Sequence, residues 1–280
     1  RMCGIVGAAA RRAAVPLLVE SLRRLEYRGY DSAGLATVEP GTGLLRERAV
    51  GRVDDLADCL DGEYPGQVGI AHTRWATHGV PAQRNAHPHC SRDGLALVHN
   101  GIIENYGALC RELEAGGYEF ASDTDSEAVA HLIHRRMADE GGVLEAVLSV
   151  AGELEGAYAL SIIEPRDPDR IIAARNGCPV VIGLGEGENF VASDIAALLP
   201  LTQRYIVLDD GDVADIRRDR VDIFDTEGRP VEREVRRSEM SAESVDRNGY
   251  AHFMLKEIHE QPERSMPPWR SGSPATGCSQ

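Results

Sequence analysis

Ten short strand-like runs, many of them separated by Gly, Asp or Pro, constrain this chain more than any other feature. They fall at 3–9, 33–38, 67–73, 95–99, 157–164, 170–174, 180–184, 189–192, 205–208 and 212–216. Brief runs between turn signals predict mostly antiparallel pairing. Helical periodicity is rarer. Leu18, Leu22 and Leu25 share a face over 15–25, behind Pro16 near the start, and Val129, Leu132 and Ile133 recur over 126–137 before Gly141 and Gly142 stop the pattern. Two further helical patterns cover 103–113 and 143–154. The helices form one group near the start and one mid-chain, with strands before, between and after. That interleaving predicts an α+β fold in which two sheets pack together and helices cover both outer faces, a four-layer αββα sandwich.

The 280 residues, 42% hydrophobic, suffice for a sizeable core. With 45 acidic and 30 basic side chains the net charge of −15 argues against binding nucleic acid or an anionic membrane surface. No apolar stretch is long enough to span a bilayer and no secretory signal pattern opens the chain, so the expected location is cytoplasmic. The six cysteines never form a Cys-x-x-Cys pair, which points to neither a disulfide framework nor a zinc ribbon. His87, His89 and Cys90 lack a matching second ligand pair, so no metal is expected, and no cofactor either.

Four stretches carry chemistry. In Cys3-Gly4-Ile5-Val6-Gly7 a cysteine opens the first strand directly after Met2. If Met2 initiates and is removed, Cys3 holds both a thiol, with a pKa near about 8.5, and an α-amine near about 8, so nucleophile and base arrive on one residue. The same residues also suit a buried cysteine on a first strand. Thr73 to Gly79 ends a strand in a polar loop where Arg74 can grip a carboxylate with two parallel hydrogen bonds, Thr77 and His78 offer donors, and Trp75 is either part of the clamp or an anchor of an ordinary loop. Asn100-Gly101 can point a side-chain and a backbone N–H at one spot, as an oxyanion requires, or be a turn dipeptide. Ser122 to Glu127 precedes a helix: Thr124 with Glu127 fits a capping box, which leaves the Asp125 carboxylate over for a ligand's ammonium. Gly183-Leu184-Gly185-Glu186-Gly187 mimics a dinucleotide loop, but a strand-like run follows it, so a hairpin turn is expected.

Together these stretches resemble the glutaminase domain of the class II, N-terminal-nucleophile glutamine amidotransferases. The likeness extends through Leu25 to Gly34, Asn85 to His89, His99 to Asn105, Gly187 to Asp194 and Met254 to Ile258, over about residues 2 to 262. Tyr27-Arg28-Gly29, Trp75 and His78 resemble the branch that aminates a sugar phosphate. The resemblance implies an αββα sandwich in which Cys3 attacks the side-chain amide of L-glutamine, its α-amine relays the proton through a water, and Asn100 and Gly101 hold the oxyanion. It further implies that Arg74 takes the substrate α-carboxylate and Asp125 its α-ammonium. Thr77 and His78 would complete that pocket, Trp75 would lie on a loop closing over it and gating an ammonia tunnel, and Arg28 would brace the nucleophile's strand.

Two departures bear on this. Arg1 precedes Met2, which places the α-amine on the wrong residue as written and reads as translated flanking sequence. The sugar-phosphate branch also carries an isomerase half, whereas here the similarity stops near residue 262. The expected organisation is a glutaminase domain over 2–238, a linker toward an absent isomerase half over 239–262, and a disordered tail over 263–280, so the chain reads as a fragment. Fructose 6-phosphate would be a partner only where an isomerase half is present, and the resemblance leaves a homodimer open. Two alternatives stand beside this reading: the glutaminase domain of a phosphoribosyl-type class II amidotransferase, and a non-catalytic remnant that binds glutamine.

Overall fold

The computed structural model describes residues 3–75 and 80–239. In chain order its elements are β1 (Gly4–Ala9), α1 (Ala14–Arg23), β2 (Ser32–Glu39), β3 (Gly43–Val50), α2 (Val53–Asp58), β4 (Val68–Arg74), β5 (His89–Cys90), β6 (Ala96–Ile103), α3 (Tyr106–Ala115), α4 (Asp125–Glu140) and α5 (Val143–Ala151). They continue with β7 (Gly156–Ile163), β8 (Ile171–Asn176), β9 (Val181–Leu184), β10 (Asn189–Ala192), β11 (Arg204–Val207), β12 (Val213–Ile216), β13 (Val221–Phe224), β14 (Pro230–Val231) and β15 (Val235–Arg237). An eight-stranded sheet runs β15-β11-β9-β10-β1-β4-β2-β3, and a seven-stranded sheet runs β14-β13-β12-β8-β7-β6-β5.

The period-2 geometry of the strands sorts their side chains into three apolar layers. On β1, Val6 and Ala8 face outward to Leu18 and Leu22 of α1, while Ile5 and Ala9 face inward, toward Val98 of β6 and Ala159 of β7. On the other sheet Leu97, Leu160 and Ile162 point out to Val129, Leu132 and Ile133 of α4 and to Val147 of α5. The order is helix, sheet, sheet, helix, the expected α+β sandwich. Because each sheet is covered on both faces, β1, β2 and β4 are buried along their whole length, and their sequences read as continuous apolar runs rather than strict alternation.

Local departures from the sequence expectation have physical causes. The pattern over 103–113 begins too early: Ile103 closes β6, and α3 starts at Tyr106. The Thr124–Glu127 capping box is not made. Thr124 occupies the N-cap position, but the Glu127 carboxylate reaches past it to accept from the N–H groups of Ala121 and Ser122 at 2.9 and 2.7 Å. The Thr124 hydroxyl instead lies 3.0 Å from His89 Nε2. Gly183 to Gly187 does join the paired strands β9 and β10, as expected of a hairpin. The expected segments 239–262 and 263–280 lie outside the described residues save for Glu239.

Candidate active site

The two sheets part where β1 begins and β4 ends, and a cavity of about 360 Å³ opens there. Its lining includes Cys3, Arg28, Arg74, Trp75, Asn100, Gly101 and Asp125, seven of the nine residues singled out from sequence; Thr77 and His78 lie outside the described residues. Register explains the convergence. Gly4 pairs with Thr73 across β1 and β4, which sets Cys3 against the Arg74–Trp75 end of β4. The Trp75 N–H donates to Cys3 Sγ at 3.1 Å, and the thiol lies 3.5 Å from the Trp75 carbonyl oxygen. The Trp75 ring meets Tyr30 edge-on, with centroids 6.0 Å apart.

From the opposite sheet β6 brings in Asn100, whose Nδ2 donates to the Cys3 carbonyl oxygen at 3.1 Å. Asn100-Gly101 is no turn: both residues lie within β6, paired with Ala159 and Tyr158 of β7. Gly101 has φ +129°, and a Cβ there would sit 2.0 Å from the Ala157 carbonyl oxygen, so only glycine fits this close crossing of β7. Asp125 is the first residue of α4; its Oδ2 accepts the Ile103 N–H at 2.9 Å, which fastens the start of the helix to the end of β6.

Burial dominates the electrostatics. It pushes the Cys3 thiol above its ordinary range, against the lowering effect of the Trp75 N–H and the Arg74 charge. Burial likewise lowers Arg74, opposed by Cys3, Asp31 and Asp125. An arginine and an aspartate therefore face one partly desolvated cavity beside a thiol held as the neutral acid, an arrangement able to hold a zwitterionic amino acid by both ends. Arg28 pairs through Nη2 with Asp194, which also accepts from Tyr27 Oη at 2.9 Å. Burial alone would raise the Asp194 carboxyl, but the Ala196 N–H and Arg28 outweigh it and hold the group below the usual range. The neighbouring Ser193 exchanges hydrogen bonds with Ile5 on β1, its Oγ accepting from and its N–H donating to that residue at 3.0 Å each.

Sequence reasoning did not foresee that histidines gather at and behind the cavity. His72, His87, His89 and His99 are all buried. The His72 and His87 rings stack 4.1 Å apart, and Ser126 Oγ lies 2.9 Å from both His87 Nε2 and His99 Nδ1. The signal was available: a histidine within a run covered on both faces must find polar partners. Among the described residues no group of three His, Cys, Asp or Glu side chains is placed to hold a metal ion. None of the described helices is long and apolar enough to cross a membrane.

Comparisons with known proteins bear on the family rather than on single residues. Residues 72–200 match the family described as a glutamine amidotransferase domain. The chain is 54% identical over 263 residues to the glutamine–fructose-6-phosphate aminotransferase (isomerizing) of Pseudomonas syringae pv. tomato, covering 94% of this chain and 43% of that protein. It is 56% identical over 262 residues to the protein of that name from Photorhabdus laumondii, again covering 43% of it. The chain thus spans less than half the length of these relatives. Among solved structures, the glutamine phosphoribosylpyrophosphate amidotransferase of B. subtilis superposes with a TM-score of 0.70 at 26% identity, covering 80% of this chain and 49% of that one.

Proposed function

We propose that this chain, which carries a glutamine amidotransferase domain, hydrolyses L-glutamine to glutamate and ammonia at Cys3 and serves as the ammonia-supplying half of an amino-sugar-forming enzyme. The observation that carries the reading is the single cavity in which a thiol, an amide donor, an arginine and an aspartate of opposite charge meet. Arg74 receives the α-carboxylate and Asp125 the α-ammonium, which lays the side-chain amide over Cys3 Sγ. The sulfur attacks the amide carbon as its proton leaves, and negative charge develops on the amide oxygen. Asn100 Nδ2 and the Gly101 N–H stabilise that oxyanion. As the C–N bond breaks, the nitrogen takes up a proton and departs as ammonia, and water then cleaves the γ-glutamyl thioester to glutamate and the free thiol.

Because burial keeps the thiol protonated, a base must remove the proton. The α-amine of Cys3 supplies it when Cys3 is the first residue, acting through a water; Arg1 and Met2 must be removed first. Thr77 and His78 complete the substrate pocket and Arg28 braces β1 through Asp194 and Ser193. Residues 2–238 form the glutaminase domain. Transfer to fructose 6-phosphate belongs to the part of the relatives that this chain does not span. A cytoplasmic setting and a homodimer belong to the same proposal. The phosphoribosyl-type reading is less favoured, since identity is 26% there against 54% in the sugar-phosphate branch.

The test is to trap the intermediate. Acid quenching during glutamine turnover, followed by peptide mass spectrometry, should place a γ-glutamyl group on the peptide bearing Cys3. An adduct on another residue would overturn the assignment.

A further inference from the structure

The hydrogen bonds around Asn100 determine their own proton positions. His72 Nε2 lies 3.0 Å from the His99 carbonyl oxygen, which can only accept, so Nε2 carries the hydrogen. The same nitrogen lies 3.0 Å from Asn100 Oδ1. On its other side Asn100 Nδ2 faces the Cys3 carbonyl oxygen, again a pure acceptor. Exchanging the amide oxygen and nitrogen of Asn100 would set oxygen against oxygen at Cys3 and N–H against N–H at His72. Each contact by itself forbids the flip, and one Nδ2 hydrogen remains for the cavity that Asn100 lines.

His72 is well placed to enforce this. It sits on β4, an interior strand of its sheet, and its side chain crosses to β6 of the facing sheet. The ring is fully buried and stacked on His87. Its Nδ1 has no hydrogen-bond partner among the described residues, so nothing in them rewards the other tautomer. Burial lowers its pKa to about 3, which keeps the ring neutral with a single N–H.

We propose that His72 is a positioning residue for the oxyanion site: its Nε2–H locks the Asn100 amide in the orientation that turns Nδ2 toward Cys3 and the bound substrate. The inference deepens the glutaminase reading and rests on it for its effect on rate. Its content is a fixed donor, aimed before the substrate arrives, which is what makes oxyanion stabilisation effective.

The experiment combines kinetics with NMR on the chain beginning at Cys3. His72→Leu should lower kcat for glutamine hydrolysis by about 10- to 100-fold while leaving KM within about threefold. His72→Gln, whose amide N–H can reach the same acceptor, should recover most of that loss. In an Asn100→Ala background, His72→Leu should cost less than about twofold more, because the group it positions is gone. A histidine that merely supports the fold would lower the rate equally in both backgrounds, would not be rescued by glutamine, or would raise KM instead; any of these overturns the proposal. Long-range proton–nitrogen correlation on the wild-type chain should show His72 protonated on Nε2 and bare on Nδ1, and a proton on Nδ1 would overturn it without any variant. Absence of glutamate release from the wild type would refute the glutaminase reading, whereas the ring tautomer decides the His72 contact independently.

Discussion

At the level of single residues, glutamine recognition depends on charge pairing in a partly desolvated cavity. In the proposed function Arg74 and Asp125 hold opposite ends of one small zwitterion, so their losses should be separable. Arg74→Gln and Asp125→Asn should each weaken glutamine binding by about 2 kcal/mol, the cost of leaving one substrate charge without its partner in a partly desolvated site. Calorimetric titration of the Cys3→Ala chain, which cannot turn substrate over, measures this directly. Affinity equal to that of the parent would remove that residue from the pocket. Ligands sharpen the test: an analogue lacking the α-carboxylate should bind the Arg74→Gln variant and its parent about equally.

At the scale of elements, β6 bears the most demanding position. Gly101→Ala combines a φ of +129° with a Cβ 2.0 Å from the Ala157 carbonyl oxygen, so the strand must shift away from β7. Strain and overpacking together should cost on the order of 3 kcal/mol, read as a fall in the urea midpoint, with activity falling further as Asn100 moves with the strand. An unchanged midpoint would show that β6 adapts freely. The elements legible in the sequence are those with a simple apolar signature. The buried interior strands β1, β2 and β4 were readable, as were α1 and α4, where apolar spacing and the Gly141 stop agree with the helix ends. Edge strands were not. β3 carries Arg46, Glu47 and Arg48 and is only half-buried, β15 is Val-Arg-Arg and exposed, and each ends the eight-stranded sheet, where charge discourages further pairing and erases the apolar pattern. In the site, Cys3, Arg74, Asn100 and Asp125 were legible because their chemistry is unusual for their place in the sequence. His72 and Ser126 were not, because their partners come from another sheet or from a different element and only the fold reveals them.

For the molecule as a whole, the buried histidines make stability depend on pH. Burial is the main cause that lowers His72 and His89 to about 3 and His87 well below its ordinary 6.5. The unfolded chain takes up protons on these rings below that ordinary value while the folded chain cannot, so their contribution is fully present above about pH 6.5 and is lost as pH falls toward about 3. Glu127 behaves alike in a lower window: burial would raise it, but His131, Ser122 and the Ala121 and Ser122 N–H groups hold it at about 2, and its contribution is lost below about pH 4.5. Urea midpoints should therefore already fall between about pH 7.5 and 5, before the carboxylates matter. A constant midpoint across that interval would mean that the rings are not held neutral.

The central claim is that Cys3 is the nucleophile of a glutaminase. The most direct measurement is glutamate release from glutamine by the chain beginning at Cys3, set beside the same chain carrying Cys3→Ala, with glutamine affinity measured on both. Release should be steady in the parent and essentially lost in the variant, with affinities within a few-fold of each other, since the groups that recognise the substrate lie elsewhere. A variant that keeps more than about a few per cent of the parent's rate, or a parent that binds glutamine without ever releasing glutamate, would contradict it.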